Sequence, residues 1–320
     1  MPTRPARVLI LISLVLTFSI PSFAWDEVGH KITAYIAWDR MTPAAREAVV
    51  RLMLTGPEDS GLPSYYMGYG SQNEDTRKRD YFVLMATWAD FIKDRNLKTR
   101  NSKYSVPNWH YTDTYWMEKD GKPVLVTLNE PGGLAIQKIE EFAKIIRSPT
   151  SKDAEKAIAI AWLIHLIGDI HQPLHASSRV TAEFPKGDQG GNTFLLTPTG
   201  TPREQQVNLH SYWDSIVENK EANSRNLCDA DYIYPVAHDI MEKFPYDKLR
   251  DRMKDDQFEA WMNESFSLAT TEVYKGVEEG KMPSKKYTEN AYKIAQERFA
   301  LGGYRLGDLF NEVFGGTPTK

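Results

Sequence analysis

Residues 151–172, SKDAEKAIAIAWLIHLIGDIHQ, restrict the fold more than any other stretch. Apolar side chains recur there at helical spacing, and a histidine, an aspartate and a second histidine are lodged in the last turns. A helix that is apolar on most of its circumference has to run through a core. Ser151 or Asp153 offers an N-cap, and Pro173 predicts the end of the helix. His165 and Asp169 are four apart and share one face, while His175, just past Pro173, can turn back toward that face from a loop. His171 lies well round the helix from His165 and reads as a supporting or structural histidine. A chain with only seven histidines thus places three of them within a few turns of one aspartate.

The remainder is mostly helical in pattern. VGHKITAYIAWDRM (28–41) and GGLAIQKIEEFAKIIRS (132–148) carry amphipathic spacing, and the C-terminal TENAYKIAQERFALGGYRLGDLFNEVF predicts a helix interrupted at Gly302-Gly303. Alternation suited to a strand occurs only in NTFLLT (192–197) and QQVNLH (205–210), which the turn-rich residues between them predict to be a hairpin. Residues 56–80 and 176–191, rich in Gly, Pro, Ser and Asp, read as surface loops. The expectation is all-α: one mainly helical domain over 25–320 with a small β-hairpin.

The first 24 residues have a basic start (Arg4, Arg7), an apolar run from Val8 to Ile20 and small residues at Ser22-Phe23-Ala24. That pattern predicts a cleaved signal peptide, with Trp25 as the new N-terminus, and its apolar run is short for a membrane span. No later segment is apolar for long enough, so no span is expected in the mature chain. Cys228 is the only cysteine, which excludes an internal disulfide and suits a bacterial periplasmic or secreted protein. Without the leader, 37 basic residues face 43 acidic ones, a charge of −6. Such a chain does not hold nucleic acid by lysine and arginine alone.

Further ligand candidates surround the opening stretch. His210 and Asp214 repeat the i, i+4 spacing, and His30, Asp90 and His110 lie in GH, WAD and NWHYTD. Imidazole and carboxylate at that spacing can grip one ion from a single helix face, as zinc prefers. Cleavage before Trp25 would free an α-amine with a pKa of about 7.7–8.0, and that amine can chelate a metal together with its own carbonyl oxygen. The absence of an H-E-x-x-H stretch disfavours a zinc protease.

The order of these pieces, a mature Trp, then GH, WAD, WHYTD, HLIGDIHQPLH, GGN and NLHSYWD, resembles the S1/P1 nuclease family from Trp25 to Asp214. The resemblance implies the phospholipase C/P1 nuclease fold and three Zn²⁺ ions. Asp90, His110, His165 and Asp169 would hold one, and the Trp25 amine and carbonyl, His30 and Asp169 a second. His175, His210 and Asp214 would take the third. It further implies hydrolysis of single-stranded DNA and RNA to 5′-mononucleotides, and removal of 3′-phosphates from nucleotides, by attack of zinc-bound hydroxide. Three Zn²⁺ against Asp90, Asp169 and Asp214 leave a local excess of about +3, enough to attract phosphate on an acidic chain. Lys93, three residues after Asp90, matches the family's basic residue that stabilises transition-state charge. Tyr111 matches its base-stacking aromatic, Asp113 its acceptor for the base edge, and Asn192 its Gly-Gly-Asn asparagine, which could bond substrate or an aspartate ligand. Substrates are the only partners implied, so a monomer is expected. The alternatives are a zinc-dependent phospholipase C, against which the short Trp25–His30 gap and Asp214 speak, and a non-catalytic periplasmic zinc- or nucleic-acid-binding protein.

Overall fold

The computed structural model describes residues 25–67, 72–130, 132–253 and 258–316. The expected signal peptide lies outside the described residues. Helices α1 (Glu27–Arg40), α2 (Pro43–Met53), α3 (Glu74–Met85), α4 (Trp88–Phe91) and α5 (Lys98–Tyr104) precede strands β1 (Thr114–Lys119) and β2 (Lys122–Leu125). Then follow α6 (Ala135–Arg147), α7 (Asp153–Asp169), β3 (Ser177–Arg179), α8 (Leu209–Asp214), α9 (Ile216–Lys220), α10 (Ile233–Lys243), α11 (Tyr246–Leu249), α12 (Phe258–Leu268) and α13 (Lys285–Phe314). The fold is mainly α, as its periodicity predicts, with one small sheet.

Local chemistry sets the helix ends. Asp26 accepts from the Gly29 N–H to open α1, Thr42 caps α2 ahead of Pro43, and Ser284 caps α13. Helix α7 starts one residue from either predicted cap: Lys152 is its N-cap, and the Glu155 carboxylate accepts from the Lys152 N–H. Every residue from Ala159 to Asp169 is buried. The core runs continuously around it, from Trp25 through Trp88 and Trp162 to Phe310.

Three expectations need correcting. The sheet is not formed by 192–210, where only a single antiparallel bridge joins Leu195 to Asn208. It is formed by β1 and β2, antiparallel across an Asp120-Gly121 turn, with β3 parallel on the other side of β1. Both turn residues have positive φ, 53° and 71°, as a tight hairpin turn requires. The second correction concerns α13, which passes through Gly302-Gly303 without a break. A Cβ on Gly303 would stand 2.6 Å from Ile36 Cβ, so the glycines are where α13 lies close against α1. Close packing repays their low helix propensity. Third, the expected loops contain structure: short 3₁₀ turns at Glu58–Ser60 and Leu62–Tyr65, the start of α3 at Glu74, and β3.

Candidate metal centre

Helix α7 delivers His165 and Asp169 at its buried C-terminal end, and the 3₁₀ turn Pro173–Ala176 that follows brings back His175. Helix α1 contributes His30, α4 contributes Asp90, the turn after Trp109 contributes His110, and α8 contributes His210 and Asp214. Apart from Asp90, every one of these side chains is almost wholly shielded from solvent. Gly168 permits the approach of α1, since a Cβ there would stand 3.0 Å from His30 Nδ1. Trp25 is fully buried with its ring against Phe299, and the Asp26 N–H donates to the Asp214 carbonyl at 3.2 Å, so the chain at Trp25 and Asp26 borders the same cleft.

The ligand atoms fall into three groups, each within 4.8 Å: His30, Asp90 and His165; His110, His165 and Asp169; and His175, His210 and Asp214. The last is the third set that the resemblance implies. The first two overlap at His165, whose ring stacks on that of His30 at 3.9 Å. His30 also lies 3.3 Å from Asp169, and His110 lies 3.1 Å from it. Asp169 therefore touches the histidines of both implied sets.

Three histidines are oriented by backbone carbonyls. His165 Nδ1 donates to Ala86 O at 2.7 Å, His175 Nδ1 to His110 O at 2.6 Å, and His210 Nδ1 to Gly190 O at 2.7 Å. A carbonyl can only accept, so each Nδ1 carries the proton and each Nε2 a lone pair. His175 Nε2 and His210 Nε2 face each other at 3.1 Å. Two lone pairs at that distance repel, and a cation between them removes the conflict. Asp169 Oδ1, His110 Nε2 and both His30 nitrogens are buried without a hydrogen bond. These donor atoms fit a metal well. Burial holds His30, His110, His165 and His175 below their usual pKa, hence neutral, and pushes Asp169 and Asp214 well above the carboxylate range, with Asp90 adding to the effect on Asp169.

Lys93 Nζ lies 2.6 Å from Asp90 Oδ1 at the edge of the cleft. Tyr111 and Asp113 are half-buried beyond His110. A Cβ on Gly133 would come within 1.9 Å of Tyr111 O, so this glycine keeps a neighbouring loop tight against them. Burial, and secondarily Asp188, pushes the Asp113 carboxyl up to about 6. The Asn192 amide donates to Gln189 O at 2.9 Å, turned back on its own loop, while the Gly190 carbonyl beside it orients His210. His171 points away from the cleft: Nδ1 donates to Ile167 O and Nε2 meets the Arg305 guanidinium at 2.8 Å. His238 hydrogen-bonds the Tyr35 hydroxyl at 2.9 Å and belongs to none of the ligand groups.

Sequence reasoning missed several supporting residues. Gln172 donates to Asp214 Oδ1 at 2.8 Å, and its place inside HQPLH was the available signal. Behind the α7 corner, α12 and α13 form an ionic knot of two buried arginines around Glu264, to which the sequence reading assigns no role. Arg298, 1% exposed, donates to Glu264 Oε2 at 2.6 Å, to the His171 carbonyl at 3.1 Å, to the Trp261 carbonyl and to Ser265 Oγ. Arg305 grips Glu264 with both Nη atoms, and Ser265 donates to the Ile170 carbonyl at 2.6 Å. Nothing local in the sequence pairs a C-terminal arginine with residue 171.

Comparison with known proteins agrees with this arrangement. The S1/P1 Nuclease family model matches residues 25–315. Endonuclease 2 of Arabidopsis thaliana is 26% identical over 96% of this chain and 97% of its own. Nuclease P1 of Penicillium citrinum is 23% identical over 92% of this chain and all of its own. Nuclease S1 of Aspergillus oryzae is 25% identical over 69% of this chain and 64% of its own. A match across nearly the whole chain, with histidines and aspartates gathered in one buried cleft, leads to one conclusion: this chain belongs to the S1/P1 nuclease family.

Proposed function

We propose that the protein is an exported, monomeric, zinc-dependent nuclease and 3′-nucleotidase. It cuts single-stranded DNA and RNA to 5′-mononucleotides and removes 3′-phosphates. The observation that carries the metal dependence is the opposed pair His175 Nε2 and His210 Nε2, whose lone pairs face each other because each ring donates its Nδ1–H to a carbonyl behind it. Family membership supports nucleic acid as the substrate. No helix among the described residues is long and apolar enough to cross a membrane.

Three Zn²⁺ fit the residues present. One is assigned to Asp90, His110, His165 and Asp169, and one to the Trp25 amine and carbonyl with His30 and Asp169. The third is assigned to His175, His210 and Asp214. When bound, the ions supply Lewis acidity, lowering the pKa of a water toward neutrality and offsetting phosphate charge. The chain itself does the positioning. The Ala86, His110 and Gly190 carbonyls fix three imidazoles, and Gln172 holds one Asp214 oxygen and leaves the other toward His210. Lys93, held beside Asp90 at the edge of the cleft, stabilises charge that builds up during attack. Tyr111 stacks on a base and Asp113 bonds its edge, which favours strands whose bases are not paired. Asn192 is assigned to substrate through the same loop that orients His210.

The test is turnover of single-stranded DNA, RNA, a 3′-mononucleotide and phosphatidylcholine by the protein starting at Trp25, with and without chelator. Chelator-sensitive release of 5′-mononucleotides is expected, with little lipid cleavage. Cleavage of lipid alone would overturn the assignment in favour of a phospholipase. Metal binding without turnover of any substrate would make it a binding protein. One extra residue before Trp25 is expected to weaken metal binding, read as a lower zinc content on dialysis.

A further inference from the structure

The chain runs from Asp90 to His110, two of the candidate ligands, through a segment whose charge is unlike the rest. Between 91 and 109 stand five cations and one acid, Asp94, so the segment carries +4 within a chain of −4. The remaining residues together carry −8. Such a reversal matters for an anionic substrate, because fields near a cleft raise local substrate concentration and association rate.

The segment is fastened to the cleft. The Asn101 amide on α5 donates to the Ile92 and Lys93 carbonyls, both at 3.0 Å, which locks α5 to the turn bearing Asp90 and Lys93. Arg100 is held in place by Tyr65, donating to its hydroxyl at 3.3 Å. The Tyr65 ring lies 6.1 Å from that of Phe91, the neighbour of Asp90, and both rings are half-buried. Arg95 and Lys98 are exposed, and among the described residues no carboxylate lies within 4.0 Å of either. Other surface cations, such as Lys78, Lys138 and Lys281, sit 2.5–2.6 Å from glutamates. Residues 96–100 form one wall of a groove of about 780 Å³ whose other wall is Glu58 and Asp59. Asp59 is already engaged by Lys103 and Tyr104, both at 2.6 Å, leaving Glu58 as the remaining opposing charge.

We propose that Lys93, Arg95, Lys98 and Arg100 form a strip that binds the phosphodiester backbone of a single strand beyond the scissile link. Cations interleaved with aromatic faces are what a flexible, sequence-independent strand requires. The strip rests on the nuclease reading and deepens it: polymeric single strands, rather than mononucleotides or dinucleotides, are the substrates it favours. On this assignment a dinucleotide engages the cleft alone, whereas a longer strand engages the cleft and the strip together.

The experiment compares kcat/KM for a dinucleotide and for an oligonucleotide of about 20 residues, at roughly 50 and 200 mM salt. It uses the native protein, Arg95→Glu/Lys98→Glu, and the milder Arg95→Gln/Lys98→Gln. For the long strand, charge reversal is expected to lower kcat/KM by about 10-fold at low salt. Each lost phosphate contact should flatten the log–log salt slope by about 0.7. Dinucleotide turnover stays within about twofold, and the glutamine variant falls between. Equal losses on both substrates, or none on either, would overturn the strip while leaving the nuclease reading intact. Failure of the native protein to cut either substrate would overturn the nuclease reading and the strip with it.

Discussion

The knot around Glu264 and the cleft around Asp169 both draw on buried ionisable side chains and lie on either side of the α7 corner, yet they are finished differently. In the knot, every nitrogen of Arg298 has an acceptor, and both Glu264 oxygens are bound. Burial works against ionisation of Glu264, but hydrogen bonds from Arg305 and the charge of Arg298 overcome it and hold the carboxyl well below its usual range. Among the knot's charged groups, all within the described residues, only Arg305 Nε lacks a hydrogen-bond partner. In the cleft, burial goes uncompensated: Asp169 is pushed up, and imidazole lone pairs face one another. Buried polar groups are costly unless paired, so the knot is complete within the chain and the cleft is complete only with a cation from outside.

The largest effect that could break this contrast is in Asp169→Asn. Turnover is expected to fall by about 10³-fold, roughly 4 kcal/mol of barrier. The metal-free protein, by contrast, should melt no lower than the native one, because the change removes a carboxylate that its surroundings disfavour. A large drop in the metal-free melting temperature would mean that the cleft, like the knot, is stabilised from within.

Glu264→Gln should behave in the opposite way, losing about 2–3 kcal/mol in chemical denaturation, after discounting for the partial exposure of this carboxylate. Its pKa is depressed in the folded state, so the stabilisation is present above the unfolded value of about 4.3 and is lost as pH falls below it. The gap between native and variant should therefore be widest near neutral pH and close in acid. A gap that does not change with pH would show that packing, rather than charge, holds the knot.

His171→Gln sharpens the boundary between the two regions with the smallest effect, about 1 kcal/mol of stability. Its ring nitrogens serve Ile167 and Arg305, so the number of bound metal ions should be unchanged. Loss of one ion would place His171 among the ligands.

Short-range information carried much of the outcome. The helical period around 151–172 predicted α7, and the i, i+4 spacings of His165 with Asp169 and His210 with Asp214 put each pair on one helical face. His171 falls just past the end of α7, and it does turn away from the cleft, as its angle from His165 predicts. The Asp120-Gly121 turn is equally legible as a hairpin turn, whereas the alternation of NTFLLT leads only to one bridge. Gly302-Gly303 looked like an interruption because propensity is a local quantity, whereas its compensation is contact with Ile36 on another helix.

What the sequence determined by itself was the inventory: helices, ligand types, their spacing within each element, and the order of motifs that marks the family. Tertiary structure alone decided which lone pairs meet, which carbonyls fix the histidine tautomers, and that Arg298 reaches the chain at His171 across 127 positions. The reason is range. Helix periodicity and capping are settled within a few residues, while burial, desolvation and opposed charges arise only when distant segments exclude water from a common space.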